Sequence, residues 1–198
     1  LLWHELYGRQ ADETLAAFLK ELTRLKQQHF AEKRNVDTLW YKDAIVYSTY
    51  ADFFDRDLNG LQAKLPYLQG LGITCLWLLP LLQSPMKDAG FDISDFDDIR
   101  ADVLGLPPEA SKAEKDQVFA EFLDNAHAQG IRVIFDIAIN HTSNEHPWFL
   151  EARQSKDSPK RDYYLWSDTP EKFPQARLLM KDFHNSNWAW DEVAGQYY

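Results

Sequence analysis

Apolar and polar residues follow three different rhythms along this chain, and each change of rhythm marks a boundary. Over residues 11–33, Leu15, Phe18, Leu19, Leu22 and Leu25 recur at three- and four-residue intervals, with Lys and Glu between them. That spacing predicts an amphipathic helix, with Asp12 or Thr14 able to cap its start. After Asn35, short apolar runs take over. Residues 44–50 (AIVYSTY), 73–79 (ITCLWLL) and 131–139 (IRVIFDIAI) have the length and composition of strands. Helical segments over 61–71 and 112–129 separate them, and Pro66 is tolerated in the first only near its first turn or at a kink. Gly70 and Gly72 end one helix and Gly130 the other. Strands alternating with helices predict a parallel sheet of βαβ units. From Thr142 onward the periodicity is lost. Pro147, Pro159, Pro170 and Pro174 fall among many aromatics, predicting an ordered excursion that forms one wall of a cleft. The expected domains are a helical segment (1–37), three β/α units (38–141) and the excursion (142–198).

The third run is the most informative. Seven of the nine residues from Ile131 to Ile139 are apolar, and Arg132 and Asp136 are its only charges. This predicts a strand buried on both faces. A carboxylate within such a strand is costly unless paired or hydrogen-bonded, so Asp136 calls for a partner. Asn140 and His141 stand where the strand opens into a loop. In parallel α/β proteins ligands bind at that end.

Composition narrows the function. Twenty-one Lys and Arg against thirty-one Asp and Glu give a net charge of −10, which argues against nucleic acid or an anionic membrane surface as the partner. A neutral or cationic ligand fits. Aromatics reach 14% with seven Trp, suited either to core packing or to stacking on the flat faces of sugars. Cys75 is the only cysteine and lies in an apolar run, so an inert thiol and a cytoplasmic setting are expected. No apolar stretch approaches the ~20 residues of a membrane span, and Leu1–Glu5 lack the basic start of a signal peptide. The first residue is not Met, so upstream sequence is expected.

Two strand ends carry polar groups suited to chemistry. Asp88, Asp92, Asp95, Asp97 and Asp98 fall within eleven residues after the second strand. Their spacing lacks the pattern of a calcium loop, and no metal or cofactor is expected. A solvated acidic turn accounts for Asp95, Asp97 and Asp98. Asp88 and Asp92 flank Gly90-Phe91, presenting an aromatic between two acceptors, as a sugar ring and its hydroxyls require. His141 and His146 are poorly spaced for zinc, so His141 is read as a hydrogen-bond donor to a neutral ligand.

These residues resemble a known family. Asp136-Ile-Ala-Ile-Asn140-His141-Thr142 is similar to the first conserved segment of the α-amylase superfamily, the family 13 glycoside hydrolases. Asp88-Ala-Gly-Phe91-Asp92-Ile resembles the strand-two loop of its exo-acting members, usually Asp-x-Gly-Tyr-Asp-Ile, and Trp40–Tyr47 resembles its opening strand. Residues 167–170 and 186–191 are similar to trehalose synthases. The turn over 57–61, residues 65–69 and residues 140–146 are more like amylosucrases, which also carry helices ahead of the barrel.

The resemblance implies an α/β fold, the N-terminal part of a (β/α)8 TIM barrel comprising strands one to three. It implies that His141 hydrogen-bonds the glucosyl unit, that Asp88 closes the subsite on a terminal glucose, and that Phe91 supplies a stacking face without the usual Tyr hydroxyl. Asp136 and Asn140 would brace the strand end and Asp92 would support the loop from behind. The family's catalytic carboxylates lie on strands four and five, about 5–5.5 Å apart, and a full barrel takes ~250 residues. None of them is recognisable here. The expectation is therefore the front part of a retaining α-glucoside hydrolase or transglucosylase acting on sucrose, maltose or trehalose, inactive alone. Its partner would be a small α-glucoside or α-glucan, and the missing strands would come from the remaining barrel as a second polypeptide or from a longer native protein. The alternative is a non-catalytic carbohydrate-binding module.

Overall fold

The computed structural model describes residues 2–8, 12–30, 37–178 and 185–198, in two compact units, Leu1–Asp43 and Ala44–Tyr198. The first unit holds two helices, α1 (Leu2–Tyr7) and α2 (Asp12–Phe30), and a short 3-10 turn at Trp40–Lys42. The helix predicted from the leucine spacing is α2, and its predicted extension to residue 33 lies outside the described residues. Trp3 of α1 stacks on Phe18 of α2 at 5.8 Å between ring centroids.

The second unit is built on a parallel sheet of three strands, β1 (Val46–Thr49), β2 (Cys75–Leu78) and, after two intervening hairpin strands, β5 (Arg132–Phe135), in the order β1-β2-β5. Val46 pairs with Cys75, which pairs with Arg132, and the register holds through Thr49, Leu78 and Phe135. Parallel neighbours cannot be joined by tight turns, so helices cross between them. Between β1 and β2 run α3 (Ala51–Asp55), α4 (Leu58–Ala63) and α5 (Leu65–Gly70). The single helix predicted over 61–71 is thus two. Pro66 falls in the first turn of α5, the one helical place where its missing N–H costs nothing. Asp57 caps α4 by accepting from the Gly60 N–H at 2.8 Å. A Cβ on Gly60 would stand 2.0 Å from the Asp55 carbonyl oxygen, so no other residue fits there.

The crossing between β2 and β5 carries α6 (Lys112–Ala128), begun by a capping box in which Ser111 and Glu114 exchange hydrogen bonds. Helices and sheet bury one core, including Leu58, Leu61, Leu65, Leu68, Leu76, Leu78, Phe122 and Ile131.

β5 departs from the prediction. The regular strand is four residues long, and it is not buried on both faces: Ile134, Phe135, Ile137 and Ile139 are exposed, the last at 84%. A strand is enclosed on both faces only when it has neighbours at both edges and layers on both sides. Among the described residues β5 pairs with β2 alone, and its core contacts come from α6 and the residues around Ile131 and Val133.

The loop after β2 is also more ordered than expected. It folds into an antiparallel pair, β3 (Leu82–Gln83) and β4 (Asp95–Ile99), with a register shift at Leu82/Gln83. Asp95 and Asp97 are exposed, as a solvated turn would have them. Asp98 is not part of such a turn: its carboxylate meets the buried Lys115 Nζ at 2.6 Å and accepts from Gln83 at 3.0 Å. Beyond β5, the segment without periodicity contains α7 (Pro147–Ala152) and the hairpin of β6 (Trp190–Asp191) and β7 (Gln196–Tyr197). Among the described residues no helix is long and apolar enough to cross a membrane.

Candidate functional site

The C-terminal ends of β1, β2 and β5 converge on one rim. The loop after β2 reaches it through a turn with two left-handed residues in succession, Ala89 (φ 51°) and Gly90 (φ 91°). A Cβ on Gly90 would stand 2.9 Å from Pro80 Cβ, so backbone and space both demand glycine. Asp88 starts the turn, its carbonyl accepting from the Phe91 N–H at 2.9 Å, and its side chain is exposed. Asp92 holds the loop from behind. Its carboxylate accepts from Ser84 Oγ at 2.7 Å and from the Lys87 N–H at 3.0 Å. Partial burial pushes this carboxyl up, but the hydrogen bonds from Ser84 and from backbone N–H groups outweigh it and hold the group below the usual carboxylate range.

His141 ties the two loops together. Asn140 Nδ2 donates to His141 Nδ1 at 2.8 Å, and His141 Nε2 contacts the Phe91 carbonyl at 2.9 Å. An amide donor on Nδ1 leaves Nε2 as the ring's donor, to the Phe91 carbonyl. Asn140 thus braces its neighbour. Phe91 is half-buried on Leu82, Ile93 and Ala138, with its ring in the hydrophobic packing. A second strap comes from Tyr50 at the end of β1, whose hydroxyl donates to the Ala89 carbonyl at 3.0 Å. Burial, then the nearby carboxylates of Asp52, Asp136 and Asp88, push the Tyr50 phenol up.

Asp136 does not need the partner predicted for it. It lies one residue past β5 and is half-buried, its N–H donating to the Leu78 carbonyl at 3.0 Å. Among the described residues its carboxylate accepts no hydrogen bond, because it retains contact with solvent. Lys87 and Glu145 bridge the β2 and β5 loops at 2.6 Å, both exposed.

Beside this rim lies a cleft of about 520 Å³. Ile139, Asn140, His141, Thr142 and Asn144 form one wall, and Phe96, Trp148, Tyr163, Tyr164, Leu165 and Tyr198 form most of the other. Thr142 Oγ1 and the Tyr164 hydroxyl share a hydrogen bond at 2.9 Å, and Asn144 Nδ2 donates to the Tyr198 hydroxyl at 3.2 Å. Of the sequence-predicted residues, His141 and Asn140 line the cleft. Asp88, Phe91, Asp92 and Asp136 belong to the adjoining rim. His146 caps α7 by accepting from the Trp148 N–H at 3.1 Å, and burial pushes its imidazole down despite Asp95, which favours the charged form. Among the described residues no group of three or more His, Cys, Asp or Glu is placed to hold a metal ion.

Sequence reasoning missed Tyr50 and, though it expected the excursion to form a wall, did not single out the wall's residues. Tyr50 was marked only by its place at the end of a predicted strand, and the wall assembles residues up to about one hundred positions apart.

Compared with known proteins, residues 26–198 match the α-amylase catalytic domain. This chain belongs to that family. The α-amylase family is one of glycosidases and transglucosylases, and the sheet β1-β2-β5 with its crossing helices is the N-terminal part of its TIM barrel. The chain is 46% identical over 170 residues to a trehalose synthase of Thermus thermophilus, covering 82% of this chain and 16% of that protein. It is 40% identical over 168 residues to an oligo-1,6-glucosidase of Heyndrickxia coagulans, covering 81% and 28%. The trehalulose synthase MutB of Pseudomonas mesoacidophila superposes with a TM-score of 0.64 at 34% identity, over 80% of this chain and 28% of that one. The chain therefore spans less than a third of the length of these α-amylase relatives.

Proposed function

We propose that this chain supplies the N-terminal part of a retaining α-glucoside hydrolase or transglucosylase acting on sucrose, maltose or trehalose, and that it is inactive by itself. The observation that carries the reading is the aromatic cleft at the C-terminal end of the sheet, with His141 on its wall and tied to the Asp88–Phe91 loop. Flat apolar faces beside hydroxyl and amide groups suit an uncharged, hydroxyl-rich ligand. Relatives support the substrate class: one is a trehalose synthase, and a MutB variant is known in complex with sucrose. The loop bearing Asp88 and Phe91 closes the same rim on a terminal glucosyl unit, with Phe91 as a platform that lacks a hydroxyl. Asp92 supports that loop from behind, and Asp136 and Asn140 brace the strand end.

Glycoside cleavage with retention needs two carboxyl groups about 5–5.5 Å apart, one as nucleophile and one as acid. In this reading they reside on the strands that follow β5. The missing strands come from a second polypeptide or from a longer native protein, and they pair with the outer edge of β5 and cover Ile134, Phe135, Ile137 and Ile139. The setting is cytoplasmic, supported by the buried free thiol of Cys75.

The test is an assay of the purified 198-residue chain on sucrose, maltose and trehalose, with native mass spectrometry of the same sample. No release of glucose or fructose by the lone chain is expected. Release by the purified chain, with no other polypeptide in its mass spectrum, overturns the reading. The second reading, a non-catalytic binding module, draws on the open cleft and predicts maltose binding by the monomer without turnover.

A further inference from the structure

We infer that α2 is a self-association element, and that two copies of this chain pair through it antiparallel about a twofold axis. The first support is an apolar stripe on α2 that stays partly open to solvent beside α1: Phe18, although stacked on Trp3, is 52% exposed, Leu19 49% and Leu25 38%. Together with Leu15 and Leu22 these residues repeat at three- and four-residue spacing over some three turns. Leu15, Phe18, Leu22 and Leu25 occupy the two seam positions of a heptad, and Asp12, Leu19 and Lys26 all occupy the flanking position after the second. The family match begins only at residue 26, in the last turns of α2, so the fold of the α-amylase domain does not account for the stripe.

Charge then selects the occupant. The first turn of α2 carries Asp12 and Glu13, and the stretch from residue 20 onward carries Lys20, Arg24 and Lys26 against the single acid Glu21. Such a helix repels a parallel copy in register and complements an antiparallel one, in which the helix dipoles also oppose favourably. When the antiparallel seam sets Leu15 against Leu25 of the second copy and Phe18 against Leu22, the flanking positions follow. Leu19 meets Leu19 on the axis, and Asp12 meets Lys26 at each end. One like-charge approach results, Glu21 on Glu21, and Arg24 offsets it because its Nε already donates to Glu21 at 2.9 Å. A 19-residue helix is about 28 Å long, enough for the whole stripe to be covered by one partner helix. An isologous pair of this kind closes on itself and grows no further.

The experiment is sedimentation equilibrium of the full chain over a micromolar concentration series, with circular dichroism to confirm that each variant is folded. The expected species has twice the 23.1 kDa mass of the chain. Leu19→Asp should weaken the dimer at least tenfold, since it places two carboxylates on the axis. Asp12→Lys should weaken it severalfold, and the double variant Asp12→Lys, Lys26→Glu should recover it. That recovery discriminates, because Asp12 also pairs with His4 in its own chain and the second substitution does not restore that contact. A monomeric wild type overturns the proposal and leaves the stripe to some other part of the chain or to another protein. A dimer indifferent to Leu19→Asp overturns it as well and points to association through another surface, such as the edges of the sheet. Failure of the double variant to recover rejects the antiparallel arrangement.

Discussion

The β/α half of the second unit and the segment that follows β5 are held together by different means. From Ala51 to Ile131, cohesion comes from aliphatic side chains, six of them leucines with at most 1% exposure in α4, α5 and β2. From Thr142 onward it comes from rings and cations. Phe149 packs against Tyr164, Trp166 and Tyr198. The Arg161 guanidinium lies 3.7 Å from the centre of Trp166, donates to the Ala152 carbonyl at 3.0 Å, and bonds Gln196, which in turn reaches Asp168. A segment with few regular elements cannot satisfy its backbone through ladders, so directional side-chain contacts take over that role. The lesson is that the wall of the cleft is specified by pairings, while the rim opposite rests on a packed layer.

That contrast is open to attack at several depths. The largest effect belongs to the aliphatic core: Leu61→Ala, at a fully buried position, should cost about 2–5 kcal/mol and lower the urea midpoint of the far-ultraviolet signal. An unchanged midpoint would mean that the helices do not fold as one layer with the sheet. Next comes Arg161→Met, which keeps bulk but removes the donors of a buried group. The loss should be about 1–3 kcal/mol, read chiefly in Trp166 fluorescence and near-ultraviolet dichroism, with the helical signal little altered. Equal loss in both signals would show that the two regions melt together.

A smaller effect separates the regions by pH. His146 is held below its ordinary value of 6.5 in the folded protein. The unfolded chain therefore takes up the proton first as acidity increases. Stability from this residue is complete above about pH 6.5 and is lost as the pH falls below it, towards the folded value. His146→Asn keeps a capping acceptor for α7 and should flatten that slope between pH 7 and 5. A slope as steep as in the wild type would assign it to other groups. The smallest effect is expected at Lys87. Lys87→Ala removes an exposed bridge to Glu145 and should leave the unfolding midpoint in place, while amide exchange around residues 86–92 quickens severalfold. A clear drop in midpoint would show that the two loops stabilise the fold as well as shape the rim.

Legibility in the sequence follows the same division. The three parallel strands and α6 were readable because apolar runs and a terminating glycine, Gly130, are local signals. The split of the 61–71 helix was half-readable, since Pro66 demanded a first turn without saying where it began. β3 and β4 were not readable: their pairing joins Gln83 to Asp95, and the run from Asp95 to Asp98 looks like a solvated turn until Lys115 is brought to Asp98 from α6. At the site, Asp92, Asn140 and His141 stood out as polar residues at strand ends. Phe91 was legible as a residue but not in its setting, because its ring packs on Ile93 and Ala138 and its carbonyl makes the contact with His141. The exposed face of β5 was misread because an apolar run records what a strand is suited to meet, and not what is present to meet it.

The turn at Ala89-Gly90 carries a consequence for affinity. Its conformation is fixed before any ligand arrives, by the Tyr50 hydroxyl on one carbonyl, the His141 ring on another, and a glycine that no other residue can replace. Ordering a free loop of this kind upon binding would cost about 1–2 kcal/mol for each residue fixed. Here that entropy is lost once, during folding, so a ligand at the rim keeps more of its contact energy as affinity. The same rigidity limits the range of shapes the rim will accept, and selectivity is built into the backbone before any side chain is consulted.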